Sequence, residues 1–226
     1  MNKIMKNYII AIEGIDGSGK GTQASLLENY FKEKKCLVKL ISFPRYSDTF
    51  FGKEIGNYLN GSFGTLEQIH PKFVAMLYAC DRYETKDMII NYLKQGYILI
   101  FDRYVSSNIA YQAAKLPDKE RLPFIKWIYH MEYDVFNLPK PDIEIFLNIP
   151  FSFSKKMVAK KKNRVYTNNK HDLHEENEKY LQQVSKIFCN ISKKNKWLQI
   201  DCFDKNSIRS KKEILDDIIF GISLVQ

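Results

Sequence analysis

Residues 14 to 22 read GIDGSGKGT, with an apolar run, YIIAIE (Tyr8 to Glu13), directly before them and an amphipathic segment directly after. Gly14, Gly19 and Lys20 fill the fixed positions of G-x-x-x-x-G-K, the spacing of a phosphate-binding loop, but the eighth position, where a hydroxyl normally sits, is Gly21, followed by Thr22. Gly and Lys are common, so the bare pattern is weak and its setting decides. Strand, loop and helix in that order point backbone N–H groups and a helix N-terminus at phosphate oxygens. The loop from Gly14 through Ile15, Asp16, Gly17, Ser18, Gly19, Lys20, Gly21 and Thr22 therefore reads as a cradle for nucleotide phosphates, with Lys20 reaching the terminal ones.

Outward from the loop, Thr22 to Lys35 places Ala24, Leu27, Tyr30 and Phe31 at helical spacing. VKLISF (Val38 to Phe43) is a second strand, stopped by Pro44, and YILIFD (Tyr97 to Asp102) a third, introduced by Gly96. DIEIFLNI (Asp142 to Ile149) follows the turn signal LPKP, and WLQID (Trp197 to Asp201) is the fifth. Helical period covers Thr65 to Lys94, with Pro71 marking a start, then Tyr104 to Lys115, Pro123 to Phe136, Phe153 to Lys161, His174 to Lys194 and Ile208 to Leu224. Short apolar strands separated by helices predict a mainly parallel sheet covered on both faces, in one α/β domain over residues 1–226.

Composition agrees: 45% hydrophobic residues exclude a disordered chain. No uncharged apolar run approaches the ~18 residues of a spanning helix, and MNKIMKNYII lacks a cleavage site, so a soluble, cytoplasmic protein is expected. Cys36, Cys80, Cys189 and Cys202 lack metal or redox spacing and read as reduced core thiols. A net charge of +9 permits nucleic acid, acidic membrane or anionic metabolite as partner, and placement must decide among them.

The strand ends carry further chemistry. Asp102-Arg103 closes YILIFD, where ligands of open parallel sheets bind: the carboxylate can hold magnesium and the guanidinium can grip phosphate. FPRY (Phe43 to Tyr46) ends the second strand. Asp81-Arg82 lies one helical turn after Leu77 and Tyr78, so that an arginine could meet a base edge while a ring stacks on its face, although from spacing alone a buried structural ion pair is the plainer reading. Lys155, Lys156, Lys160, Lys161, Lys162 and Arg164 form either a solvated face or a basic cover over a transferring phosphoryl group.

Taken in order, EGIDGSGKGTQ (Glu13 to Gln23), FPRY, YACDRYE (Tyr78 to Glu84), DRYVSSNIAYQ (Asp102 to Gln112), LPKPD (Leu138 to Asp142) and KHDLHEENEKYL (Lys170 to Leu181) resemble the thymidylate kinases, from about Tyr8 to the end of the chain. The resemblance implies a three-layer P-loop kinase fold with a mobile basic lid at about 155–172. It also implies transfer of the γ-phosphoryl group from ATP, held on residues 14–22, to dTMP, with Mg2+ as cofactor. Asp16 is implied near the sugar 3′-hydroxyl and the metal, Phe43 at the border of the thymine, Arg82 on its edge and Tyr78 against its face. Arg103 is implied on the acceptor phosphate, helped by Arg45 or Tyr46. Ser107 and Asn108 would touch the base, beside Gln112, and Tyr111 would sit where a ribose 2′-hydroxyl clashes. Asp172 and Glu175 match acidic residues bearing on the metal and the acceptor sugar. A homodimer is implied too, and neither nucleic acid nor membrane.

The family places its catalytic arginine either in the phosphate loop or in the lid. Nothing between Gly14 and Lys20 is basic here, so Arg164 is expected to supply that charge, with Lys20, Asp16 and Arg103 completing the catalytic set. Without a hydroxyl at position 21, magnesium must rely on phosphate oxygens, water and carboxylates: Asp102, Asp16 or Asp172. Competing readings are a kinase acting on AMP, dUMP or a nucleoside, since GKGT also occurs in adenylate kinases, and a P-loop binding protein. The guanine-reading sequence N-K-x-D is absent.

Overall fold

The computed structural model describes residues 7–65, 68–159, 178–204 and 207–225. Five parallel strands form its sheet: β1 (Tyr8–Glu13), β2 (Val38–Ser42), β3 (Ile98–Asp102), β4 (Ile143–Asn148) and β5 (Leu198–Asp201), in the order β2-β3-β1-β4-β5. Ile9, Ile10, Ala11, Ile12, Leu99, Ile100 and Phe101 are all buried, as central strands covered on both faces must be.

Right-handed crossover connections fix the layers. The step from β1 to β2 runs one way across the sheet and carries α1 (Lys20–Glu33). The steps to β3, β4 and β5 run the other way and place α2 (Phe50–Leu59), α3 (Pro71–Lys94), α4 (Val105–Ala113), α5 (Asp118–Tyr129), α6 (Phe151–Ala159) and α7 (Glu178–Lys194) on the opposite side. The last helix, α8 (Lys211–Val225), returns to pack on α1 and β5. That is the expected three-layer fold.

Three local departures from the sequence reading have physical causes. Helix α2 is not announced by periodicity, because FFGKEIGNYL contains two glycines; it forms through a Thr49 cap, whose Oγ1 accepts from Gly52 N at 2.9 Å, and through burial of Ile55, Tyr58 and Leu59 beside Val74 of α3. Residue Pro123 stands inside α5 rather than at its start, because Asp118 and Glu120 favour the N-terminus upstream. From His130 to Val135 the same helix widens into a π-helical turn. The other expected elements form, with ends shifted by a few residues where described; the expected helix ends at Lys161 and His174 lie outside the described residues, and Pro71 does begin α3, beside an accepting His70 side chain. All four cysteines are free, but only Cys202 is fully buried, the other three being half-buried. No helix among the described residues is long and apolar enough to cross a membrane.

Candidate active site

The carboxyl ends of β1, β2 and β3 converge, which brings the loop after Glu13, the Phe43-Pro44 segment and Asp102-Arg103 together where ligands bind in open α/β sheets. Lys20 opens α1, is 6% exposed, and donates from Nζ to Ile15 O at 2.8 Å, which folds its chain back over the loop. Gly17 has φ +80°, and a Cβ there would meet Ser154 O at 2.4 Å, while Ser154 Oγ donates to Asp16 O at 2.8 Å. Loop and α6 are thereby held in close contact, side-chain hydroxyl to backbone carbonyl, and position 17 has no room for a Cβ without a backbone shift. The absence of a basic residue in this loop accordingly has a steric basis at that position.

A hydrogen-bonded chain crosses the site. Arg103 Nη2 donates to Asp16 Oδ1 at 2.6 Å, and its Nη1 donates to Ser107 Oγ at 3.1 Å and Gly14 O at 3.3 Å. Tyr111 Oη donates to the other Asp16 oxygen at 2.6 Å. Ser107 Oγ passes the chain on to Glu13 Oε2 at 2.5 Å, and Tyr104 N donates to Glu13 Oε1 at 2.8 Å. Glu13, wholly buried at the end of β1, thus holds the turn in which Arg103 adopts φ +70°. Burial raises the pKa of Glu13, against the pull of Ser107 and Arg103. Burial, and then the charge of Asp16, raise that of Tyr111, which keeps the phenol protonated as a donor.

Beside this chain lies a cleft of about 510 Å³, open to solvent. Of the residues expected at the acceptor nucleotide, Asp16, Phe43, Tyr46, Tyr78, Arg82, Arg103, Ser107, Asn108, Tyr111 and Gln112 all line it. Arg45 does not. Its guanidinium turns to Asp48 at 2.9 Å and to Thr85 at 3.4 Å, so the sequence reading is corrected there: three residues on, Asp48 offers a nearer charge than the cleft does. Arg164, Asp172 and Glu175, and with them most of the basic lid, lie outside the described residues. Lys155 at the lid's entrance pairs with Glu178 of α7.

The plainer reading of Arg82, a buried ion pair, is what the structure shows. The residue lines the cleft, and its pair is with Glu132 rather than with its neighbour Asp81, through Nε and Nη2 at 2.6 Å each. Asp81 is engaged elsewhere, accepting from Thr49 Oγ1 and Arg45 N. Sequence reasoning missed Glu132 and gave Glu13 no role; a carboxylate ending a fully buried strand was the signal for the second, since such a charge must be paired.

An aromatic-walled cleft that ends at an arginine beside a phosphate loop fits a nucleoside monophosphate facing a nucleotide donor. A family model described as thymidylate kinase matches residues 12–214. The chain belongs to the thymidylate kinase family. Family membership makes it an ATP-dependent phosphotransferase acting on thymidylate. The probable thymidylate kinase of Pyrococcus abyssi is 38% identical over 148 residues, which cover 65% of this chain and 67% of that protein. The thymidylate kinase of Schizosaccharomyces pombe is 35% identical over 149 residues, covering 66% and 64%. The matched stretches thus span about two thirds of these relatives' lengths. Among solved structures, thymidylate kinase from Candida albicans superimposes with a TM-score of 0.72 at 27% identity, over 97% of this chain and 92% of that one. The enzyme from Ehrlichia chaffeensis, at 22% identity and a TM-score of 0.66, shares the fold.

Magnesium, implied by this chemistry, finds a fitting donor. Asp102 Oδ1 is buried and without a hydrogen-bond partner among the described residues. Gly21 leaves its other oxygen room, since a Cβ at position 21 would stand 3.0 Å from Asp102 Oδ2. A carboxylate therefore stands beside the backbone where the hydroxyl is missing. Both Asp16 oxygens already accept from Arg103 and Tyr111, which makes Asp102 the better placed of the two. No group of three or more His, Cys, Asp or Glu suited to a metal occurs among the described residues, and the third expected carboxylate, Asp172, lies outside them.

Proposed function

We propose that the chain phosphorylates dTMP in the cleft between Phe43, Tyr78 and Arg82, with ATP phosphates on residues 14–22, giving dTDP and ADP. The observation that carries this reading is the continuity of the cleft: one wall reads as a base pocket, and the opposite end is Arg103 with Asp16, directly beside the phosphate loop. Lys20 draws the terminal phosphates of the donor, and Arg103 holds the acceptor phosphate in line with them. Tyr78 and Phe43 flank the base. Asp16 and Tyr111, joined by their 2.6 Å hydrogen bond, face the acceptor sugar. The acceptor phosphate is already ionised near neutral pH, so no general base is assigned. Asp102 would hold magnesium, which supplies neutralisation of charge on the donor phosphates when bound.

A coupled ADP-release assay with Mg-ATP tests the acceptor. With dTMP, dUMP, AMP, dGMP and thymidine as alternatives, kcat/KM for dTMP is expected to exceed that for AMP by about 100-fold or more. A preference for AMP would overturn the assignment.

We also propose a homodimer formed through α3. Phe73, Met76 and Tyr83 are 66%, 43% and 53% exposed at helical spacing, and Leu122 and Val135 are exposed too. Sedimentation equilibrium should give twice the 26.6-kDa chain mass, and Met76→Glu should shift it toward one chain. A wild-type monomer at micromolar concentration would rule the dimer out.

A further inference from the structure

Glu132 stands in the π-helical turn that continues α5, and it is wholly buried behind the cleft, not in its lining. Single π turns inside helices are rare and recur at functional sites, because they re-aim a side chain that regular winding would place elsewhere. Here three donors converge on one carboxylate: Arg82 Nε and Nη2, each at 2.6 Å, and Asn108 Nδ2 at 2.8 Å. The Asn108 amide nitrogen also donates to Ala75 O at 3.0 Å. Both groups facing that nitrogen are acceptors, which dictates the orientation of the amide. Asn108 Oδ1 is left over: it is buried, on a residue 2% exposed that lines the cleft, and has no hydrogen-bond partner among the described residues. Arg82 Nη1 is left over too, since Glu132 takes the other two guanidinium nitrogens and no hydrogen bond donated by Nη1 occurs among the described residues.

We infer that Glu132 is a positioning residue that sets the hydrogen-bonding polarity of the base pocket, fixing Arg82 Nη1 as the donor and Asn108 Oδ1 as the acceptor. The inference rests on the acceptor reading above and gives it a basis for base choice. A donor beside an acceptor matches the O4 carbonyl and N3–H of thymine. It opposes the N4 amino group and bare N3 of cytosine, and likewise the amino group and N1 of adenine. Discrimination of this kind comes from buried polar groups left unpaired by the wrong partner, and such sites reject a mismatched edge strongly. Guanine offers the same polarity as thymine and serves as a size control. Stability gives no competing reason for the ion pair, because buried pairs are often replaceable by apolar residues without loss.

The test uses 5-methyl-dCMP, which keeps the thymine methyl group and inverts only the polar edge. Wild-type enzyme should prefer dTMP over 5-methyl-dCMP by about 1,000-fold or more in kcat/KM. In Glu132→Gln, one of the three donors meets an amide nitrogen. The dTMP KM should rise about 30-fold with kcat changed less than about threefold, and the preference over 5-methyl-dCMP should fall by a similar factor. A folded Glu132→Gln enzyme whose preference stays within about threefold of wild type would overturn the inference. Should that variant not fold, Arg82→Met with Glu132→Leu replaces the pair by apolar side chains; its preference should drop below about tenfold, and a retained preference would equally overturn it. Failure of the wild type to favour dTMP over AMP strikes the acceptor reading instead, so the two failures are separable.

Discussion

Replacing Arg103 by Ala is expected to lower kcat/KM for dTMP about 1,000-fold, the largest loss of any single change considered for this site. Its guanidinium reaches Asp16 with one nitrogen and Ser107 and Gly14 with another, so the fork is already spread across the mouth of the phosphate loop. Charge-assisted hydrogen bonds contribute about 1.5–3 kcal/mol each, and two of them to an acceptor phosphate amount to about 4 kcal/mol, or three decades in rate. Arg103→Lys should recover less than about tenfold of that, because an ammonium is a point charge that cannot bridge Ser107 and Asp16 together. The KM for ATP should move less than about threefold, since Lys20 and the loop backbone hold the donor. Steady-state kinetics with thermal unfolding alongside decides the matter. An Arg103→Ala enzyme that unfolds at the wild-type temperature and keeps kcat/KM within about tenfold would show that the acceptor phosphate is held elsewhere.

The loop and the strand ends were legible because their signals are local. A strand buried on both faces must be continuously apolar, a phosphate loop must follow it, and a ligand-facing Asp-Arg pair must come at a carboxyl end. What stayed hidden depends on contacts far apart in sequence. Glu13 appears in the sequence only as the residue that ends an apolar run, whereas its partner Ser107 lies 94 positions on. Glu132 meets Arg82 across 50 positions, through a helical turn whose winding no 3.6-residue period reveals. Arg45 misled for the opposite reason. Its motif placed it beside the cleft, and only the reversal of the chain after Pro44 shows that Asp48 captures it first.

These hidden contacts share a pattern that bears on how the cleft works. Among the described residues, both arginines lining the cleft are gripped from behind or beside by a carboxylate, Arg82 by Glu132 and Arg103 by Asp16, with Glu13 fastening the turn beneath. The guanidinium groups are thus oriented before any nucleotide arrives. Burial opposes the charge on Arg103, but Tyr111, Asp16, Asp102 and Glu13 outweigh it and raise its pKa. Preorganised charge of this kind stabilises developing charge without reorganisation at the moment of reaction.

The same logic makes Gly17→Ala the second severe change. Position 17 carries φ +80°, where a side chain costs about 1 kcal/mol, and the added Cβ would stand 2.4 Å from Ser154 O and 3.1 Å from its carbonyl carbon. Neither atom can rotate away, because both belong to the backbone of α6, so loop and helix must move apart and the Ser154 hydrogen bond to Asp16 O must stretch. Shifts of about 1 Å in a phosphoryl-transfer site cost about 100-fold, and kcat/KM for dTMP should fall by that much, with Tm lowered by several degrees. Gly17→Arg should do no better, although it adds a cation to the loop, because its Cβ meets the same backbone first. We assign the transition-state charge to Arg164, and Arg164→Ala should lower kcat by about 100-fold or more with little effect on Tm. A Gly17→Arg enzyme that restored the activity of Arg164→Ala would mean that the loop can yield and that the two positions are interchangeable sources of one charge.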